Sequence, residues 1–144
     1  MAGIRSKRQE AIRQLVRNGS IRIQADLVEQ LSEMGFEVTQ ATISRDIAEL
    51  ALEKAAGGVY VLPEDHRLQS IVQNAVHETR RAGNQVLLMG DPGTAPSVAA
   101  ALDASQIPGV LGSIAGDDTT LVICADEGHG KRFQENVDQL LGKK

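Results

Sequence analysis

The sequence predicts an α+β protein in which a helical first part is followed by a part that mixes helices and strands. Apolar residues recur at helical spacing in the first half, and short apolar runs of strand length lie mainly in the second. A polar stretch with a proline separates the halves. We therefore expect an N-terminal domain at 1–62, a linker at 63–67 and a C-terminal domain at 68–144. Each domain is small for an independent core, so association between copies is expected to bury further surface.

Composition excludes several functional classes. The 144 residues include one cysteine, which excludes a disulfide framework and a cysteine-rich zinc site. No apolar run approaches membrane-spanning length, so we expect a cytoplasmic protein with no membrane partner. Aromatic residues make up 2%, which argues against base stacking on single strands. The net charge of −4 argues mildly against nucleic acid, but residues 1–22 carry a local net charge of +5 that favours an interaction surface.

Three helices and a hairpin are predicted in the N-terminal domain. Ser6 and Gln9 have the spacing of a capping box, and Thr39 is a good N-cap for the third helix. The predicted helices cover 6–18, about 24–34 and a segment after 39, and the predicted strands cover 52–54 and 59–62. The connection Ala55-Ala56-Gly57-Gly58 joins the two strands.

The third helix presents a polar face that suits DNA recognition. If Ile43 and Ile47 face the core, the rotation of about 100° per residue places Arg45 almost opposite. The polar residues around it are Gln40, Thr42, Ser44 and Arg45. Arginine pairs with guanine, glutamine with adenine, and hydroxyls with bases or phosphate. The second helix, a short turn and this helix have helix-turn-helix spacing with the hairpin as a wing, so the pattern favours double-stranded DNA recognition over a merely solvated surface.

Charges near this predicted face are mixed. Asp46 and Glu49 lie on the third helix, where carboxylates repel phosphate. The helix is therefore expected to enter the groove edge-on or to use these acids to fix the geometry of Arg45. The basic first helix is expected near phosphates, whereas the wing carries only Lys54 and predicts weak phosphate contact.

The C-terminal domain is predicted to follow the order αβαββα. Its first helix is expected to end near Gly83, and a turn at 91–94 precedes a helix with Pro96 in its first turn. The predicted segments are a helix at 68–83, a strand at 85–89, a helix at 96–104, strands at 110–115 and 120–125, and a last helix around 133–141.

Asp117 and Asp118 are adjacent at the tip of the last predicted hairpin. Aspartate and glycine are ordinary turn residues, so a plain turn is one interpretation. The functional alternative is a cation site, because carboxylates match the donor fork of a guanidinium. No further ligands lie at metal spacing, so no metal is expected. Neighbours on one tip are also poorly placed for acid/base catalysis, and an enzyme is the weaker alternative.

Two segments together resemble the bacterial arginine repressor family. They are 39–47 (TQATISRDI) and 111–119 (LGSIAGDDT), and their order, separation and total length agree with the family. The resemblance implies a winged helix-turn-helix domain and a C-terminal domain that forms trimers paired into hexamers. It also implies a regulator that represses arginine biosynthesis genes, with activation of catabolic genes as a further option, and that takes L-arginine as co-repressor with no other cofactor.

The resemblance also assigns roles to individual residues. It implies DNA contact by Ser44 and Arg45, helped by Gln40 and Thr42. The residues implied in arginine binding are Asp103, Ser113, Ala115, Asp117 and Asp118. Pro96 stands where the family often has a polar side chain, and proline cannot supply that contact. An architectural DNA-binding protein of site-specific recombination and a sensor of another amino acid remain alternatives.

Overall fold

The computed structural model describes residues 3–55 and 57–143, which form two compact units, Met1–His66 and Arg67–Lys144. The elements of the first unit are α1 (Ile4–Arg17), α2 (Gln24–Glu33), α3 (Gln40–Glu49), β1 (Glu53–Lys54) and β2 (Tyr60–Val61). Three helices and a hairpin are thus confirmed. Ala56, in the predicted connection of the hairpin, lies outside the described residues.

The three helices and the hairpin share one apolar core. The buried side chains are Ala11, Ile12, Val16, Ile21, Leu27, Leu31, Ile43 and Leu62. Burying one valine, leucine or isoleucine side chain contributes about 1.5–3 kcal/mol. β1 and β2 pair antiparallel, and the backbone N–H of Tyr60 donates to the carbonyl of Ile21 at 2.8 Å. The hairpin is therefore attached to the segment that precedes α2.

The first residue of α3 agrees with a cap predicted from the sequence, whereas the first residue of α1 does not. Thr39 caps α3 as predicted, because its hydroxyl accepts the backbone N–H of Thr42 at 3.3 Å. The capping box at Ser6 is wrong: α1 begins at Ile4 and has no side-chain cap. Arg5, in the first turn of α1, forms an ion pair with Glu49 of α3, and the helix starts without a local side-chain cap.

The second unit contains a four-stranded antiparallel sheet with helices. Its elements are α4 (Pro63–Ala75), β3 (Val76–Ala82), β4 (Gln85–Gly90), α5 (Ala95–Ser105), β5 (Val110–Ala115), β6 (Thr119–Cys124) and α6 (Glu127–Leu140). The strand order is β3-β4-β6-β5. α4 starts at the end of the first unit, so residues 63–67, expected as a linker, are helical.

The predicted order αβαββα lacks one strand. The first helix ends at Ala75 instead of near Gly83, and residues 76–82 form β3. Ala82 pairs with Gln85 across a two-residue turn in which Gly83 has a φ of +61°. Such a Gly-Asn turn is a hairpin signal that a helical interpretation of 76–82 overlooks. β3 is polar because it is an edge strand, and the hydroxyl of Thr79 donates to Asp138 on α6 at 2.6 Å.

The two faces of this sheet have different surroundings. Val86, Leu88 and Val122 are buried in a core that includes residues of α4, α5 and α6. Side chains alternate along a strand, so Ile114 and its cross-strand partner Leu121 point to the opposite face. Ile114 is 69% exposed there, so a single chain leaves an apolar side chain of this face uncovered. Among the described helices, none combines the length and apolar character needed to cross a membrane.

Gly130 on α6 is expected to tolerate no side chain. A Cβ there would lie 2.8 Å from the carbonyl oxygen of Gly83 and 3.2 Å from Cα of Asn84, so α6 would have to move off the β3–β4 turn. We expect Gly130→Ala to lower the free energy of unfolding by about 1–3 kcal/mol, measured by urea denaturation at fixed protein concentration.

The matched control is Gly128→Ala, two residues earlier in the same helix. A Cβ at Gly128 would meet only Asp126 Oδ1, at 3.4 Å. This substitution should be neutral or should stabilise the helix by about 0.5–1 kcal/mol. Equal losses from the two substitutions would contradict the close packing of α6 on the turn.

Candidate DNA-binding and ligand-binding sites

α3 carries its predicted polar residues on the solvent side. Ile43 is fully buried, and Gln40, Ser44 and Arg45 are exposed. Thr42 is half-buried, and its hydroxyl lies 3.1 Å from that of the cap Thr39. Among the described residues, Arg45 has no ion-pair partner. Its guanidinium is therefore available to an external acceptor.

The two acids of α3 point toward α1. Asp46 is 2% exposed and accepts hydrogen bonds from Arg8 Nε at 2.5 Å, Arg8 Nη2 at 2.9 Å and Gln9 Nε2 at 3.0 Å. Glu49 accepts one hydrogen bond from Arg5 and a second, at 2.7 Å, from Gln9. Neither acid contacts Arg45, so these acids do not fix its geometry by direct contact. The negative charges of Asp46 and Glu49 are paired with the guanidinium groups of Arg8 and Arg5 on α1.

Further arginines near the N-terminus are also engaged. Arg13 pairs with Glu64, and Arg17 lies 3.2 Å from Asp65, both in the first turn of α4. Arg22 donates to the carbonyl of Gly57 at 2.5 Å. The net charge of +5 at 1–22 is thus largely matched by acids distant in sequence, and residues 1–66 together hold eight Lys and Arg against ten Asp and Glu. The first helix is not a free basic surface.

The lysine of the hairpin holds the hairpin in place. Lys54 Nζ donates to the carbonyls of Arg22 and, at 3.2 Å, of Gly58, and it lies 4.3 Å from the centre of the Tyr60 ring. A cation over an aromatic face is attracted by the ring's negative face. Lys54 is therefore engaged within the unit.

The acidic tip of the β5–β6 hairpin has a fixed backbone and exposed side chains. The carbonyl of Asp117 accepts the N–H of Ala95 at 3.1 Å, and that of Asp118 accepts the N–H of Gly90 at 2.8 Å. The hydroxyl of Thr119 donates to Asp118 Oδ1 at 3.0 Å. Both aspartates are exposed. The end of β4 and the start of α5 thus hold two carboxylates toward solvent.

The remaining predicted ligand residues lie elsewhere on the unit. Ser113 donates to Asp103 Oδ1 at 3.3 Å, which joins β5 to α5. Asp103 follows Ala95, the residue bonded to Asp117, by eight positions, or about 12 Å along a helix. Ala115 is the last residue of β5 and lies in sequence between Ser113 and Asp117. The structure therefore brings Asp103 and Ser113 together and leaves them separated from the acidic tip.

The three histidines each contact a carboxylate. The distances are 2.6 Å for His66 to Glu53, 2.6 Å for His77 to Asp91 and 2.7 Å for His129 to Asp126. Only the last pair is local in sequence, since Asp126 caps α6 and accepts the backbone N–H of His129, which lowers the pKa of Asp126. No group of three or more potential metal ligands occurs in 3–55 or 57–143.

Comparisons with known proteins identify both units. Residues 4–68 match the family model of the arginine repressor DNA-binding domain, and residues 72–139 match that of the C-terminal domain. The arginine repressor of Carboxydothermus hydrogenoformans is 38% identical, over 94% of this chain and 97% of that protein. Those of Acidobacterium capsulatum and Thermus thermophilus are each 36% identical, over 94% and 96% of this chain and 97% and 92% of those proteins.

The Asp46 contacts predict a pH dependence of stability. Burial raises the pKa of Asp46, but hydrogen bonds from Arg8 and Gln9 outweigh it, so the pKa lies below its usual 3.8. A carboxyl with a lowered pKa stabilises the fold above its unfolded pKa, and the contribution is lost as pH falls through the folded value.

We therefore expect the first unit to lose more stability than its Asp46→Asn variant as pH falls from about 5 to about 2. Tyr60 is the chain's one tyrosine, and there is no tryptophan, so tyrosine fluorescence during urea denaturation reports this unit. Parallel pH curves for the two proteins would contradict the assignment.

Proposed function

Since the chain belongs to the arginine repressor family, it is an arginine-responsive transcriptional repressor, and we propose that its two units divide DNA binding from ligand binding. Residues 1–62 are the winged helix-turn-helix domain. Residues 68–144 bind L-arginine and associate with other copies. Residues 63–67 join the two as the beginning of α4.

DNA recognition in this proposal depends on the exposed face of α3. The observation that carries it is the state of Arg45, which is exposed and has no ion-pair partner among the described residues. The arginines of α1 are bonded to carboxylates instead. A free guanidinium can donate two hydrogen bonds to one guanine. Ser44, Gln40 and Thr42 complete the contact from the same helix.

L-Arginine binding in this proposal uses acids from more than one copy. The ligand has a cationic guanidinium and a cationic ammonium at opposite ends, and both need acceptors. One chain offers Asp117 and Asp118 at the hairpin tip and Asp103 with Ser113 about 12 Å along α5. A ligand held between the tip of one copy and the Asp103 group of another ties the copies together. Its binding energy then couples assembly to DNA affinity.

The proposed assembly is a hexamer, a dimer of trimers. Leu111 is 71% exposed and Ile114 is 69% exposed on the edge strand β5. Large exposed apolar side chains mark association surfaces, and the small core of this unit benefits from further burial. We assign this face to contacts between copies. The ligand lies at contacts between trimers, where the acids of different copies meet.

The chemistry proposed is binding without catalysis. Asp117 and Asp118 are both exposed on one turn, whereas an acid and a base need different environments across a cleft. L-Arginine acts as co-repressor of arginine biosynthesis genes, and neither a metal nor another cofactor is required. Action on bacterial DNA places the protein in the cytoplasm. Pro96 is exposed in the first turn of α5 and offers the ligand no polar side chain.

Arg45→Ala should weaken specific DNA binding and leave L-arginine binding unchanged. The duplex is the one that the wild type enriches from random DNA, measured by mobility shift with L-arginine present. Loss of one bidentate base contact should weaken binding by about tenfold to 100-fold. Arg132→Ala, an exposed residue of α6, makes the same charge change outside the first unit. Equal weakening by both would show that net charge, not contact, is responsible.

Asp118→Asn should weaken L-arginine binding by about tenfold to 100-fold in calorimetry, because it removes a charged acceptor. Glu135→Gln, an exposed residue of α6, is the control with the same charge change and should bind normally. L-Lysine, L-ornithine and L-citrulline test the alternative sensor. Tighter binding of one of these than of L-arginine would overturn the assignment of the ligand.

Mixing two defective variants tests whether the site is shared between copies. Asp103→Asn and Asp118→Asn should each bind weakly alone. Co-refolded together, some sites receive Asp103 from one copy and Asp118 from another, so a fraction of tight sites should return in calorimetry. A site within one chain would stay defective in every mixture. Sedimentation with and without L-arginine then shows whether ligand shifts the assembly toward six copies.

A further inference from the structure

Among residues 3–55 and 57–143, Asp46 is the one buried side chain of the charged residue types Asp, Glu, Lys and Arg. It is 2% exposed, and its neighbour in sequence is the exposed Arg45. Removing a carboxylate from water is costly unless the charge is paired and hydrogen-bonded. Asp46 meets that need entirely from α1, through two bonds from Arg8 and one from Gln9. The contact joins α3 to a helix 38 positions earlier.

A buried ion pair at this place is weak evidence for a purely stabilising role. An apolar pair of similar volume often holds two helices together at least as well. A guanidinium fork on a carboxylate adds geometry, because both oxygens and both nitrogens must align. Ile43, one turn earlier on the same side of α3, packs in the core but has no directional contact. The Arg8–Asp46 pair therefore specifies the rotation of α3 about its axis more closely than apolar packing does.

That rotation decides where the recognition residues point. Successive helix residues are about 100° apart, so fixing Asp46 toward α1 fixes the direction of Arg45 and Ser44 away from it. We propose that Asp46 is a positioning residue for DNA recognition, held by Arg8 so that α3 presents Arg45 and Ser44 to the DNA. This inference rests on the proposed DNA-binding role of α3. Asp46 acts through these neighbours and contacts no base itself.

The test compares two substitutions that change the charge of α3 equally. Asp46→Asn removes the buried partner of Arg8, whereas Glu49→Gln removes an acid whose side chain is 41% exposed, one turn later on the same helix. The readout is the ratio of affinities for the wild-type-enriched duplex and for a scrambled duplex, in the full-length protein. Tyr60 fluorescence identifies conditions in which each variant is folded.

A positioning role predicts that Asp46→Asn lowers the affinity ratio by about tenfold or more, the effect of misplacing one bidentate contact. Glu49→Gln should leave the ratio unchanged. If electrostatic repulsion of phosphate were the only role of these acids, both variants would bind both duplexes more tightly and equally. That result overturns the proposal.

Arg8→Lys provides a second variant that keeps the charge and replaces the fork by a point donor. Positioning predicts a lower affinity ratio for this variant also, and no further loss in the double variant with Asp46→Asn, since both act on one contact. If Arg8→Lys and Asp46→Asn both keep the affinity ratio of the wild type, the positioning role of Asp46 is overturned and the proposed DNA-binding function still stands. A wild type that enriches no duplex overturns the proposed function and the inference together.

Discussion

The ion pairs of α1 organise the first unit. A unit of this size buries few apolar side chains, and its helices meet through charged contacts as well as through the core. Arg5 and Arg8 attach α1 to α3, and Arg13 attaches it to the first turn of α4. In these contacts the positive charges of the three arginines are paired with carboxylates. In the proposed function, DNA binding therefore relies on the exposed face of α3 rather than on one basic helix.

A different constraint governs the second unit. Helices cover one face of its sheet, and the opposite face carries the exposed Ile114. The turn at Asp117 and Asp118 is anchored by the backbone of Gly90 and Ala95, so the carboxylates are presented without the ordering cost of a loose loop. These two features are the ones on which the proposed ligand-linked association of copies rests. A ligand that binds the assembled form stabilises that form by mass action.

Local patterns predicted most of the elements, and their failures have identifiable causes. Thr39 and the periodic apolar residues of α2 and α3 act within one or two turns, so their effect can be read from neighbouring residues. β3 was missed because an edge strand has no strong apolar alternation and is specified by its partner β4. The start of α1 at Ile4 differs from the predicted start at Ser6, because no side-chain cap marks the first turn.

The sequence by itself determined the α+β class, the polar face of α3 and the acidic turn at Asp117 and Asp118, because each depends on residues a few positions apart. Only the tertiary structure decided which charges are free. It paired Arg8 with Asp46, left Arg45 without an ion-pair partner among the described residues, and separated Asp103 from the acidic turn. Such pairings join residues tens of positions apart, and their energies depend on distance and burial, which the order of residues does not state.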